Sequence, residues 1–139
     1  MSTALKISPN SLSEFEQVIE QCIESFPNNR LCEKILANQV TLKDYHELLL
    51  RLFHQSYHGP GTFALAGAHC PTQHNVAREY FFHHAEEEMG HWRWIADDLK
   101  NSKSNVDPLH SPPSPATMAY IAVNFYYATV FPLGRLAIA

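Results

Sequence analysis

Twenty residues, Tyr80 to Leu99 (YFFHHAEEEMGHWRWIADDL), hold three histidines, three consecutive glutamates and two tryptophans. At about 100° per residue on a helix, Ala77, Phe81, His84, Glu88, His91, Ile95 and Leu99 fall on one stripe that runs apolar, then polar, then apolar again. Phe82, Ala85, Met89, Trp92 and Ala96 widen the apolar arc, while Arg78, Glu79, His83, Glu86, Gly90, Arg93 and Asp97 share the opposite, solvated face. His84, Glu88 and His91 are therefore polar groups predicted to point inward. Burying a carboxylate and two imidazoles without partners costs several kcal/mol. Two arrangements offset that cost. In one, Glu88 accepts from His84 at i−4 and from His91 at i+3, a purely structural network. In the other the three hold a metal, with Glu87 as an additional ligand. Glu-x-x-His on a bundle helix presents two metal ligands inward, His84 one turn earlier adds a third, and imidazole with carboxylate suits iron or manganese better than thiol-rich zinc sites do. Spacing alone leaves both arrangements open.

A second set lies upstream, in HELLLRLFHQSYH. Glu47, His54, Tyr57 and His58 are spaced so that they line the same pocket, or form an ordinary half-polar helix face. Phe81 and Trp92, with Phe53, Phe63, Tyr80, Trp94, Tyr126 and Tyr127, supply either pocket walls or plain core. His46, His69, His74 and His110 fall near predicted helix ends or in loops and receive no chemical role.

The elements that must position these groups are all helical. Ser11 with Glu14 forms a capping box before an amphipathic stretch whose Phe15, Val18, Ile19, Cys22, Ile23 and Phe26 recur at three and four residues, and Pro27 stops it. A short helical piece carries Leu31, Ile35 and Leu36. Thr41 with Asp44 caps the next helix, which is predicted to end at Gly59-Pro60-Gly61 before a bent continuation to Pro71. A third long helix follows over about residues 72–101, then a Pro-rich linker, then an apolar segment from Ala116 to the last residue. That segment has no polar final turn, so it is expected to be covered by a second subunit or by further chain, the 139 residues then forming one domain that is the N-terminal part of a larger bundle.

Composition narrows the function classes. The 10 basic and 14 acidic residues give a formal charge of −4 with no basic block, which argues against nucleic acid as a partner. No run reaches the ~18 apolar residues of a membrane span, and the N-terminus lacks a signal-peptide pattern. Three cysteines without CxxC spacing read as reduced, mostly buried thiols in a cytoplasmic protein.

HHAEEEMGHWRWIADDL, preceded by a helix–Gly-Pro-Gly–helix segment and followed by a Pro-rich loop and FYYATVFPLGRLAIA, resembles the haem-oxygenase-like helical superfamily. Within it the likeness is greatest to the iron-containing redox enzymes, in which Glu-Glu-x-Gly-His followed by an aromatic and Asp-Leu is characteristic; here those positions are Glu87, Glu88, Gly90 and His91. The resemblance implies an all-α bundle around a central pocket, a non-haem iron cofactor, oxidation of a small organic substrate, and ligands from helices beyond Ala139. Thiamin-salvage hydrolases and pyrroloquinoline quinone synthesis proteins share the superfamily and imply metal-independent chemistry, and a non-catalytic pocket protein is a third alternative. Relatives with two irons commonly carry a carboxylate seven residues before the motif histidine, where this chain has His84. A single metal, an atypical ligand set or no metal at all are therefore open. A homodimer is expected.

Overall fold

The computed structural model describes residues 9–138, and among them every regular element is helical. The chain divides into two compact units, Met1–Thr41 and Leu42–Ala139.

In the first unit, α1 spans Pro9–Ser25 and α2 spans Arg30–Leu36. The side chains of Ser11 and Phe15 lie outside the described residues. Pro27 does not stop the chain sharply. It sits in the first turn of a short 3-10 helix, Phe26–Asn28, where its missing N–H has no partner to lose. Asn29 then caps α2, its Oδ1 accepting from the amides of Leu31 at 3.1 Å and Cys32 at 3.0 Å.

The second unit is organised by α3, Leu42–His69, against which α4 (Asn75–Glu87), α5 (Trp92–Asn101) and α6 (Pro115–Val130) all pack. α3 begins directly after Thr41, as its capping pattern predicts, but it does not end at Gly59-Pro60-Gly61. Pro60 lies inside the helix and deprives the Ser56 carbonyl of its amide partner, at a local cost of about 3 kcal/mol. Buried residues on both sides hold the helix together across it: Leu49, Phe53 and His54 before, Thr62, Phe63, Ala66 and Gly67 after. Packing overrides the breaker.

The third long helix is two helices. Glu88 to His91 form a turn, and Gly90 has φ +97° with nothing within 4 Å of where a Cβ would stand. The glycine is required by the backbone's positive φ, not by a close neighbour. The break also explains why Met89, expected on the apolar arc, is 73% exposed.

The final segment is likewise not one helix. α6 starts at Pro115 under the cap of Ser114, whose Oγ accepts from the Thr117 amide at 3.2 Å. It stops at Val130 because Pro132 forces Phe131 out of the helical region, and a 3-10 helix, Pro132–Ile138, follows. A Cβ on Gly134 would lie 2.6 Å from ring atoms of both Tyr127 and Phe131, so glycine is what lets this last turn fold against α6.

The core gathers Phe63, Ala66, Cys70, Phe81, Ala85 and Ala128. All three cysteines are free, but only Cys70 is buried; Cys32 is part-exposed and Cys22 is exposed on α1, so the expectation of mostly buried thiols is corrected. No helix among the described residues is long and apolar enough to cross a membrane.

Candidate functional site

α3, α4, α6 and the last 3-10 turn border a half-open cavity of about 210 Å³. Gln55, Ser56, His58, Gly59, Thr62 and Phe63 line it from α3, where Pro60 interrupts the helix. His84 and Glu88 line it from the end of α4 and the turn beyond, Tyr120, Ile121 and Asn124 from α6, and Arg135 from the last 3-10 turn.

His84 and Glu88 thus share a wall of the cavity, one helical turn apart. His84 Nε2 is 3.9 Å from Glu88 Oε1, too long for a hydrogen bond, while its Nδ1 is 3.4 Å from Glu87 Oε2. The His84 ring is gripped by two aromatics: Tyr80 stacks on it at 5.3 Å and the edge of Phe63 meets it at 4.4 Å. His91 Nδ1 donates to Glu88 Oε2 at 2.8 Å across the turn between α4 and α5. His91 stacks on Trp94 at 4.5 Å and is not among the cavity-lining residues. Glu87 also meets His83 Nε2 at 3.3 Å, and its side chain is 55% exposed.

The upstream set is divided. His58 lines the cavity, but His54 and Tyr57, with Phe53 and again His58, line a second one of about 380 Å³ beneath residues 108–113 of the Pro-rich loop. Glu47 lines neither and sits on the surface beside Lys43 at 3.9 Å. Phe81 is fully buried core behind the cavity, and Trp92 packs edge-on against Phe53 and Tyr57 at 5.8 and 5.7 Å. His46, given no chemical role, ties α3 to the end of α5 through Ser102 Oγ at 3.0 Å.

His54 is 6% exposed and its Nε2 has no hydrogen-bond partner among the described residues. Burial, reinforced by neighbouring His58 and partly opposed by a backbone hydrogen bond at Ser111, holds its pKa below the ordinary imidazole value. The unfolded chain therefore takes up this proton first as pH falls. The stability contributed by neutral His54 is fully present above pH ~6.5 and is lost as pH drops through the depressed folded value. The melting temperature of the protein is expected to decline below that pH more steeply than that of His54→Gln. Parallel pH profiles for the two would show that His54 is not buried neutral.

Of the lining residues that sequence reasoning did not single out, three are buried and polar: Thr62, Asn124 and above all Arg135, which is 4% exposed. The one available signal was that Arg135 is the sole Lys or Arg after Lys103, set in an otherwise apolar stretch.

The second unit packs around one long helix with a small polar cavity beside it, and the chain carries a haem-oxygenase-like fold. It is similar to a solved domain of unknown function with a haem oxygenase-like fold from Shewanella denitrificans, with a TM-score of 0.78 and 26% identity over 94% of this chain and 56% of that one. The chain therefore spans a little over half the length of the domain it matches. No protein-family profile matches it, and no curated protein does.

Proposed function

We propose that the protein is a non-haem iron-dependent oxidase or oxygenase that acts on a small organic molecule in the α3–α4–α6 cavity, with His84 and Glu88 as two of the iron ligands. The observation that carries this reading is that an imidazole and a carboxylate, one turn apart in an otherwise apolar stripe, face the same cavity. Their donor chemistry fits iron. Their number falls short of a full set, since among the described residues no three His, Cys, Asp or Glu side chains gather as a metal site. The proposal thus requires further ligands from outside the described residues.

Iron, when bound, would supply dioxygen activation. The chain's own residues do the rest. His91 fixes the Glu88 carboxylate by its 2.8 Å hydrogen bond, as outer partners orient metal-ligating groups. Tyr80 and Phe63 hold the His84 ring, and Phe63 with Ile121 gives the cavity an apolar side that limits water. Glu87 is the weaker candidate ligand because it is more exposed and already meets His83 and His84.

Protein purified without chelator and reloaded with iron(II) is expected to retain iron. His84→Ala and Glu88→Ala should fall to background with little loss of melting temperature, since both side chains are part-exposed, at 26% and 32%. His46→Ala should keep its iron. Equal retention in all the variants would remove this reading.

A metal-independent enzyme of the thiamin-salvage or quinone-synthesis type is favoured by one observation, the short His91–Glu88 pair, which could move a proton at a bound substrate. Activity lost in Glu88→Ala from a protein that never held metal would select it. We also propose a homodimer formed through α6, where Met118, Val123, Tyr126 and Val130 are exposed, and a cytoplasmic setting that keeps the three cysteines reduced.

A further inference from the structure

Arg135 stands in the cavity wall as a buried cation that forms no ion pair among the described residues, although Glu88 lines the same cavity. Its Cζ lies 3.9 Å above the Phe63 ring, and its Nε and Nη2 are 3.3 and 3.4 Å from Thr62 Oγ1. Thr62 can accept both because its own hydroxyl proton is donated to the Gly59 carbonyl at 2.8 Å. Nη1 has no hydrogen-bond partner, and the guanidinium has no carboxylate partner, among the described residues. A guanidinium cannot escape burial by giving up its proton, so an unpaired one is costly unless an anion arrives. Gly134, the residue that lets the last turn fold onto α6, is what brings it here.

Asn124 presents the complementary defect. It is 3% exposed, its Nδ2 donates to the Tyr120 carbonyl at 2.8 Å, and that bond fixes the amide so that Oδ1 is left buried and without a partner among the described residues. Two residues that line the cavity therefore carry an orphan donor with positive charge and an orphan acceptor.

We propose that the cavity binds a small organic carboxylate, with Arg135 Nη1 donating to the carboxylate and Asn124 Oδ1 accepting from a hydroxyl or amine of the same molecule. A single charge is favoured over a phosphate because the lining supplies one cation and also one carboxylate, Glu88. At about 210 Å³ the cavity lies below the roughly 300–1,000 Å³ of drug-sized ligand sites, so the molecule is small. The proposal names the substrate class for the cavity of the preceding section and rests on that location, but not on iron.

The test uses ¹⁵N-labelled protein freed of metal on a chelating resin, titrated with lactate, with its neutral analogue lactamide, and with inorganic phosphate. Lactate should shift the Arg135 Nε–H and Asn124 side-chain signals saturably, with lactamide and phosphate at least tenfold weaker. Arg135→Met keeps an unbranched stem against Phe63 and should weaken lactate binding about tenfold to a hundredfold, the usual effect of removing a charge-assisted hydrogen bond. If that variant proves too unstable to titrate, Asn124→Ala should reduce lactate to the affinity of propionate, which lacks the hydroxyl. Equal binding of lactate and lactamide, preference for phosphate, or lactate binding indifferent to both substitutions would overturn the proposal. Lactate binding in a protein that never retains iron would leave it standing while removing the iron reading, and iron retention without lactate binding would do the reverse.

Discussion

Phe81→Ala is expected to cost about 3–5 kcal/mol, the range for removing a fully buried aromatic ring. The ring is fully buried and meets Phe63 at 6.4 Å, and Phe63 in turn braces His84 at 4.4 Å. The damage should therefore pass from core to cavity. Against a total of roughly 5–15 kcal/mol for a domain, a substantial fraction of the variant would be unfolded at physiological temperature. Phe81→Leu, which fills more of the space, should lose markedly less. Urea unfolding of the three proteins reads the difference directly, and an alanine variant within about 1 kcal/mol of the parent would mean that this ring is not the centre of the packing.

Gly90→Ala is expected to destabilise by about 1–3 kcal/mol for a reason unrelated to space, because a positive φ strains any residue with a Cβ. Nothing stands near the position, so no clash can account for the loss. Asn at the same site should cost less than alanine because its side chain tolerates positive φ better. Glu88 and His91 are the first and last residues of the turn, so a strained backbone in the alanine variant should loosen their 2.8 Å hydrogen bond. Thermal melts of the alanine and asparagine variants separate strain from crowding. An alanine variant as stable as the parent would indicate that residues 75–101 readily close into one continuous helix.

That turn marks the limit of what the sequence could disclose. The helical class was legible because apolar residues at three and four spacing dominate every segment, and the stripe from Ala77 to Leu99 does run partly or fully buried throughout. The break within it was not legible, since one glycine in a periodic pattern costs only about 1 kcal/mol in a helix and need not end it. The opposite error occurred at Pro60. A Gly-Pro-Gly run argues for a stop, yet packing on both sides of it carries α3 through. His84 and Glu88 could be singled out as inward polar groups on one helix. Arg135 could not be joined to them, because Thr62 and Arg135 meet across 73 residues through the fold of the final turn, and local periodicity holds no information about such a contact.

The central claim is that the His84–Glu88 wall of the α3–α4–α6 cavity is where metal and substrate chemistry take place. Manganese(II), added stepwise as a paramagnetic stand-in for iron(II), tests it through the ring signals of the nine histidines. Selective loss of the His84 signal, with Phe63 beside it, at metal levels that leave exposed His110 and helix-end His69 sharp is the predicted result. Broadening that begins at His110 and follows solvent exposure around the molecule would contradict it.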